Sequence, residues 1–286
     1  QHSAFFKQGL AAIAVGGCLL SAPASAALLT TYQDVQADVA SLTPTVDAFR
    51  TALGALNAPA PVNNPDGRRE INWDAAPSTV ADPNPFPGDF FNANVAPRAR
   101  GLAMTPVGVG AFAVSADPAD AGPGQPSPPL FTLGAFGFQA FSPNRIFAVL
   151  GGNQFDVEFF NPANPAQAAT VDGFGAVFVD VDDPGSKLEY FNLAGNLLAT
   201  VDVPDQRFVT PAGSLSFAGA TFTSSEVARV RVTAGQSGLL ACGSTSDCVA
   251  MDDFIYGEPQ PVPLPAPIAM LAAGIVGLGL LRRTKR

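Results

Sequence analysis

The chain is poor in histidine and tryptophan, and the shortage of histidine excludes several kinds of chemistry. His2 is the one histidine and Trp73 the one tryptophan among 286 residues. Imidazole is the usual base near neutral pH and a common zinc ligand. Its absence beyond His2 therefore excludes a Ser-His-Asp triad, a Cys-His pair and a His-ligated zinc site. Any chemistry of this chain must rest on carboxylates, amides, hydroxyls and arginines.

Cysteine is also scarce. The three cysteines are Cys18, near the N-terminus, and Cys242 and Cys248, which lie in Ala-Cys-Gly-Ser-Thr-Ser-Asp-Cys. In an exported protein, two cysteines this close are typical of a disulfide that closes a small turn, and less typical of a nucleophile. We therefore predict a Cys242–Cys248 disulfide that stabilises the fold only modestly, because the loop it closes is short.

Basic residues are few in the middle of the chain. All 24 acidic residues lie between residues 27 and 258, whereas 10 of the 15 basic residues do, so the net charge of this segment is −14. A surface of this charge repels phosphate backbones. The sequence therefore predicts no nucleic-acid partner.

The first 26 residues have the three parts of a secretory signal peptide. Lys7 precedes an apolar run from Leu10 to Leu20, and Ala24-Ser25-Ala26 follows it. A basic start, a short apolar run and an A-x-A site are typical of a cleaved export signal, and the run is too short for a membrane span. We predict cleavage after the last of these alanines; a lipoprotein signal at Cys18 is the alternative.

Residues 259–286 carry a long apolar run with a basic end. From Val262 to Leu281 the sequence has no charged residue, and four basic residues follow: Arg282, Arg283, Lys285 and Arg286. About 20 apolar residues span the roughly 30 Å hydrocarbon core of a bilayer. The pattern predicts a transmembrane helix that begins near Pro265 or Pro267 and keeps its basic end in the cytoplasm. An ordinary tail anchor would have the same composition.

The order of the parts in this tail is more specific than its composition. A motif, Val262-Pro263-Leu264-Pro265-Ala266, precedes the apolar run, and Arg282-Arg283 follows it. This arrangement resembles the PEP-CTERM class of bacterial sorting signals, in the variant whose motif is VPLPA. The resemblance implies a partner, an exosortase-type membrane transpeptidase. That enzyme would cut near the motif and pass the protein to the cell surface or to an exopolysaccharide matrix.

Residues 27–57 show the one helical pattern of the body. Apolar residues recur at spacings of three and four, which places them on one helix face: Val35, Val39, Leu42, Val46, Phe49, Leu53 and Leu56. Pro44 interrupts the pattern, and Thr43 can cap a helix that has proline in its first turn. We predict a frayed first part and a better helix from about 44 to 56, packed against the body.

Residues 58–258 are predicted to form one all-β domain. Short runs of alternating apolar and polar residues occur there between turns rich in proline and glycine. The runs lie at 110–115, 131–141, 146–150, 155–160, 174–182, 187–192, 197–203, 214–222, 228–232 and 249–256. Many short strands without a further helical pattern indicate a single β-sandwich. The 22 phenylalanines are expected to fill the space between its sheets.

Three polar clusters of this domain are rich in acidic residues, at 66–74, 180–185 and 252–258. The last cluster resembles the final strand of jelly-roll carbohydrate-binding and lectin-like modules. The resemblance implies a jelly-roll fold and a structural calcium ion held by an acidic pair near the final strand and an acidic residue of the first. Calcium prefers six to eight oxygen ligands, which suits a body without histidine.

The candidate calcium ligands form two groups. The residues are Glu70, Asp74, Asp252 and Asp253 in the first group, and Asp180, Asp182 and Asp183 in the second. Acidic pairs are also common as edge charges and turn caps, and neither group has the spacing of an EF-hand loop. A structural calcium ion is therefore one of two interpretations of these residues.

Two functions of different classes are compatible with these features. The first is a non-catalytic structural, adhesive or polysaccharide-binding role, in which Trp73 stacks on a sugar beside Asn72; a buried tryptophan is the alternative. The second is an extracellular glycosidase-like enzyme that uses paired carboxylates, with Glu70, Glu158 and Glu189 among the candidates. Because no spacing singles out a pair, we predict that the protein is not an enzyme.

Overall fold

Two antiparallel β-sheets packed face to face account for most of the fold. The computed structural model describes residues 27–116, 137–207, 214–243 and 246–263. Within them the chain forms one α-helix, α1 (Val39–Leu53). The strands are β1 (Leu28–Gln36), β2 (Arg68–Ile71), β3 (Leu102–Pro106), β4 (Ala111–Val114), β5 (Phe147–Leu150), β6 (Gln154–Asn161), β7 (Asn164–Thr170), β8 (Gly173–Val179), β9 (Lys187–Phe191), β10 (Leu197–Asp202), β11 (Leu215–Phe222), β12 (Arg229–Thr233), β13 (Ala250–Gly257) and β14 (Gln260–Pro261).

Each sheet is formed by strands that are distant in sequence. The first sheet has the order β1-β11-β8-β13-β5-β4, and β2 also pairs with β13. The second has the order β10-β9-β12-β6-β7-β14, and β3 also pairs with β6. All pairs are antiparallel, which confirms the predicted all-β sandwich. Nine of the predicted runs coincide with strands, namely with β4, β5, β6 and β8 to β13.

The space between the sheets is filled largely by aromatic rings, as predicted. Phe155 of β6 stacks on Phe254 of β13 with ring centres 6.2 Å apart, and Phe159 lies 6.2 Å from Phe174 of β8. All four side chains are buried. Burial of one such ring is worth about 1.5–3 kcal/mol, so these contacts between the sheets contribute much of the driving force for packing.

The outer face of the first sheet is buried as well, beneath α1. The helix packs Leu42, Val46, Phe49 and Leu53 against it. Every residue of β8, β11 and β13 is buried. Burial on both faces explains why β8 is a continuous apolar run, Gly-Phe-Gly-Ala-Val-Phe-Val, rather than an alternation. The fold therefore has three layers, with the first sheet in the middle.

Two glycines allow the helix to approach this sheet closely. Gly175 of β8 and Gly219 of β11 are opposite each other in the ladder. A Cβ atom on Gly175 would lie 2.9 Å from the ring of Phe49, and one on Gly219 would lie 3.2 Å from it. The ring of Phe49 thus occupies the space that side chains would take at these two positions.

The N-terminal part of the body differs from the prediction of a helical segment over 27–57. Residues 28–36 form β1, which pairs with β11, and α1 runs without a break from Val39 to Leu53. The Asp38 side chain caps α1 by accepting a hydrogen bond from the Ser41 N–H at 2.9 Å. Pro44 lies early in the helix, where its missing N–H removes one hydrogen bond and burial of the following residues outweighs the loss.

Some predicted segments are not strands or fall outside the described residues. The described part of the predicted strand at 131–141, residues 137–141, contains no strand, and β1, β3, β7 and β14 were not predicted. Among the described residues, no helix is both long and apolar enough to cross a membrane. The predicted signal peptide, 1–26, and residues 264–286 of the tail lie outside the described residues.

Candidate functional site

A cleft between α1 and the first sheet contains three of the polar residues singled out in the sequence. Its volume is about 500 Å³, and Glu70, Asn72 and Asp253 line it together with Arg50 and Arg100. β2 brings Glu70 to the cleft because it pairs with β13, where Glu70 is opposite Ile255. The first and third acidic clusters of the sequence therefore meet here, as the resemblance implied.

An irregularity in β13 turns both Asp252 and Asp253 toward this outer layer. The pairing of β13 with β8 shifts register between Met251 and Phe254. In a regular strand, neighbouring side chains point to opposite faces, whereas a bulge places an extra residue on one face. Both aspartates are thereby directed away from the space between the sheets.

The carboxylate of Asp252 fixes the loop that forms one wall of the cleft. Its Oδ2 accepts hydrogen bonds from the backbone N–H groups of Phe141 (2.7 Å) and Ser142 (3.0 Å). Its Oδ1 accepts a hydrogen bond from the Ser142 hydroxyl at 3.0 Å. Since both oxygens are used in this way and the residue is buried, Asp252 positions the loop.

Arg50 of α1 places a positive charge between two carboxylates of the cleft. Its Nη2 donates to Asp253 Oδ2 at 2.8 Å and to Glu70 Oε2 at 3.0 Å. Arg68 Nε donates to the other oxygen of Glu70, Oε1, at 2.6 Å. The guanidinium of Arg50 thus supplies a countercharge to both carboxylates.

Burial shifts the titration of both aspartates upward. Burial and the neighbouring Asp253 raise the pKa of Asp252 well above its ordinary value, against three hydrogen bonds that lower it. Burial also raises the pKa of Asp253, although Ser142 and Arg50 lower it. Asp253 Oδ1 is buried and has no hydrogen-bond partner among the described residues.

Arg100 brings a second guanidinium to the cleft. Its Nη1 donates to the carbonyl oxygen of Glu70, and its Nε donates to the carbonyl oxygen of Pro97 at 3.2 Å. The Phe91 ring centre lies 5.5 Å from the guanidinium carbon. Burial lowers the pKa of Arg100. Its hydrogen bonds within the described residues go to backbone carbonyls, and the charge of Glu70 partly offsets the effect of burial on its pKa.

The carboxylates of the first predicted calcium group are bonded to other groups of the protein, and calcium there stays a prediction. Glu70 and Asp253 are paired with Arg50, and Asp252 is bonded to the loop at 141–142. Asp74 accepts hydrogen bonds from Asn72 Nδ2 (2.9 Å) and from the Arg145 N–H (3.1 Å), and burial raises its pKa to about 6. In the part of the chain that the structure describes, no three acidic, histidine or cysteine side chains form a group suited to a metal ion.

The second predicted group, Asp180, Asp182 and Asp183, is joined by an aspartate that the sequence did not single out. Gln206 Nε2 donates to Asp180 Oδ1 at 3.2 Å and to Asp182 Oδ1. The Asp183 N–H donates to Asp247 Oδ2 at 3.3 Å. Burial, with the charges of Asp182 and Asp180, raises the pKa of Asp247 to about 6. The carboxylates of these aspartates could supply only oxygen ligands, which calcium prefers. Calcium at this turn stays a prediction.

The predicted disulfide is confirmed. Cys242 and Cys248 are bonded, with their Cα atoms 5.7 Å apart. The disulfide borders a pocket of about 350 Å³ that Asp180 and Asp182 also line. Of the two interpretations of this cysteine pair, the structure therefore shows the local cross-link.

Of the two interpretations of Trp73, the structure shows the buried tryptophan. Trp73 is 1% exposed and stacks on Phe147 with ring centres 4.4 Å apart. The rings of Phe86, Phe91 and Phe254 also contact this buried indole, so no sugar can reach it. Asn72 remains in the wall of the cleft.

The carboxylates considered for catalysis are not brought together as a pair of glutamates. Glu189 of β9 forms an ion pair with Lys187 at 3.2 Å, and Glu158 of β6 lies opposite Arg229. Both belong to the second sheet, whereas Glu70 lies in the cleft of the first. The two carboxyl groups that line this cleft are Glu70 and Asp253, and both bind Arg50.

A buried ion pair that the sequence analysis missed lies next to the cleft. Arg69 donates from Nε and Nη2 to Glu258 at 2.7 and 2.8 Å, and both side chains are 1% exposed. Asn57 Nδ2 also donates to Glu258, at 2.9 Å. The sequence signal for this buried ion pair is the alternation along Arg-Arg-Glu-Ile. In a strand it puts Arg68 and Glu70 on one face and Arg69 on the other.

Val262 and Pro263, the first two residues of the sorting motif, are within the described structure, and Leu264, Pro265, Ala266, Arg282 and Arg283 lie outside it. Comparison with protein-family models, with curated proteins and with solved structures found no match to this chain.

Proposed function

We propose that the protein is exported and held in the inner membrane by its tail. It is then delivered to the cell surface or an exopolysaccharide matrix, where its sandwich binds polysaccharide without cleaving it. The resemblance of residues 262–266 and of Arg282-Arg283 to PEP-CTERM signals supports the delivery, with an exosortase-type transpeptidase as partner. The jelly-roll variety of sandwich is part of this proposal, and two antiparallel sheets are compatible with it.

The observation that carries the binding proposal is the cleft of about 500 Å³, whose wall includes the partly exposed carboxylate of Glu70. Asn72 and Arg100 offer further polar groups, and Phe141 offers apolar surface, in the same wall. A hydroxyl-rich ligand with an apolar ring face matches this combination.

A glycan array probed with the protein recovered from cells tests the proposal. We expect binding to at least one polysaccharide, and about tenfold weaker binding for Asn72→Ala and for Arg100→Gln, which is the loss of one hydrogen bond to a ligand. Gln154→Ala is the matched control, because Gln154 lies on the second sheet and bonds Thr233. Absence of glycan binding, or equal binding by all variants, would contradict the proposal.

A glycosidase-like enzyme is the second candidate, and one observation favours it. The pKa of Asp253 is raised by burial, in a cleft beside a second carboxyl group, as the acid of a glycosidase requires. Since the oxygens of Asp252 hold the loop, Asp253 would be the proton donor. Release of sugar products from the glycans that bind, abolished by Asp253→Asn, would replace the binding proposal with this one.

A further inference from the structure

The last described residues run along the edge of the second sheet. In β14, Gln260 is opposite Thr170 of β7 and Pro261 is opposite Ala169. Val262 extends this pairing: its N–H donates to the carbonyl of Ala168 at 2.9 Å, and its carbonyl accepts from Gln167 Nε2 at 3.1 Å. The first residue of the sorting motif therefore belongs to the folded domain.

Side chains upstream hold the same segment in place. Glu258 forms the buried ion pair with Arg69, and Gln260 Nε2 donates to the carbonyl of Asn64 at 3.0 Å. To lift residues 258–262 off the sheet, the protein would have to break this ion pair as well as the ladder to β7. The start of the motif is thus presented in one extended conformation.

A groove lies beside this segment. Its volume is about 660 Å³, with Leu193 and Ala194 of the β9–β10 turn on one side and Pro261, Val262 and Pro263 on the other. Leu193 is 59% exposed. The other lining residues are polar: Thr170, Asn192, Ser225, Glu226 and Gln260. Contiguous apolar surface rimmed by polar residues is typical of a contact with another protein.

The position of the groove along the chain identifies its partner. The membrane helix is predicted to begin near Pro265 or Pro267, so at most three residues separate it from Pro263. At roughly 3.5 Å per residue, the groove then lies within about 15 Å of the predicted membrane span. A membrane-embedded enzyme that binds the motif meets the walls of this groove.

We propose that the groove is the docking surface for the membrane-embedded processing enzyme, with Leu193 as its apolar anchor. This inference rests on the proposed function, because it assumes that the tail is a sorting signal. The enzyme takes the motif as an extended strand and packs an apolar surface against Leu193. Both backbone groups of Val262 are already hydrogen-bonded within the domain. The enzyme therefore binds the chain from Pro263 onward and contacts the residues that line the groove.

Removal of the tail from the full chain in the producing bacterium tests this inference. Pulse-chase labelling and mass spectrometry measure the rate at which the tail is lost. We expect Leu193→Glu to slow this rate about tenfold, since one apolar anchor often dominates an interface. Leu197→Glu is the matched control: Leu197 lies at the start of β10 beyond the same turn and is 54% exposed, but does not line the groove. We expect it to be processed at the wild-type rate.

The outcomes separate this inference from the proposed function. If the wild-type tail is never removed, the proposed function fails and the docking surface with it. If the wild-type tail is removed and Leu193→Glu is processed equally fast, the docking surface alone is wrong. Equal slowing by both substitutions would assign the turn to contact with lipid. A disulfide between two copies of Leu193→Cys would assign the groove to self-association. Either result would overturn the inference.

Discussion

The guanidinium of Arg50 lies 2.8 Å from the carboxylate of Asp253 and joins α1 to the middle strand of the first sheet. Asp253 is the more buried partner, with its side chain 3% exposed against 21% for Arg50. The pair supplies positive charge to a wall in which Glu70 also lies. The helix is therefore held by an ionic contact at the cleft and by apolar packing along the rest of its buried face.

Arg50→Met should destabilise the fold, because it leaves Asp253 and Glu70 close together without their countercharge. We expect a loss of about 2 kcal/mol in the free energy of unfolding, below the range for fully buried pairs since Arg50 is partly exposed. Urea denaturation measures it. Arg207→Met is the control: Arg207 pairs with Asp205 on the surface, and its loss should have a much smaller effect. Addition of Asp253→Asn to Arg50→Met should restore part of the stability; equal stability of all variants would contradict this account.

Gly175→Ala should destabilise the protein by about 1–3 kcal/mol, the usual range for overpacking. The added methyl group would meet the rings of Phe217 and Phe49, at 2.8 and 2.9 Å. Phe49→Leu in the same chain should reduce the penalty of the alanine, because it removes one of the two rings. Thermal unfolding of the two single variants and the double variant measures this coupling. Additive effects would show that the helix does not pack on Gly175.

Asp247→Asn should make stability less dependent on pH. The pKa of Asp247 in the folded protein is about 6, against an ordinary value of 3.8. The folded state therefore keeps the proton to a higher pH than the unfolded chain. This group stabilises the fold fully below its unfolded pKa, and the contribution is lost as pH rises through about 6. From about pH 4 to about pH 6, the unfolding free energy of the wild type should fall more steeply than that of the variant; equal slopes would contradict the shift.

Calcium at the turn of Asp180, Asp182 and Asp183 predicts a calcium-dependent melting temperature. About 1 mM calcium, typical for extracellular modules, should raise it, and a chelator should lower it. Asp182→Asn should abolish the rise, whereas Asp253→Asn should not, because Arg50 occupies the cleft. If neither calcium nor the chelator changes the melting temperature, the hypothesis of a structural calcium ion is wrong.

The sandwich could be predicted from sequence because most of its strands alternate or are continuously apolar. The helix boundary could not, because the cap of Asp38 and tertiary packing outweighed the presence of Pro44. β1 was missed because none of its residues, Leu28 to Gln36, is fully buried, so the run lacks a strong apolar face. Its partner, β11, lies almost two hundred residues away, and local pattern does not report such pairing.

The cleft was predicted only in part. The resemblance to jelly-roll modules implied that Glu70 and Asp253 lie near each other, on β2 and β13. The bulge that turns Asp252 to the same face as Asp253 leaves no periodic signal, and neither does the ion pair with Arg50, a residue of the helix. The polar neighbours of Trp73 left both a surface and a buried position open, and its ring is buried against Phe147.

The long-range pairing of the first sheet constrains how the chain matures. β1 cannot pair until β11 has been synthesised, and β2 cannot pair until β13, which ends at Gly257, has been synthesised. Loop closure over such distances is slow. A ribosome or translocation channel that releases this chain from its N-terminus must therefore deliver nearly the whole body before the sheet can close. Until then the early segments remain without their strand partners.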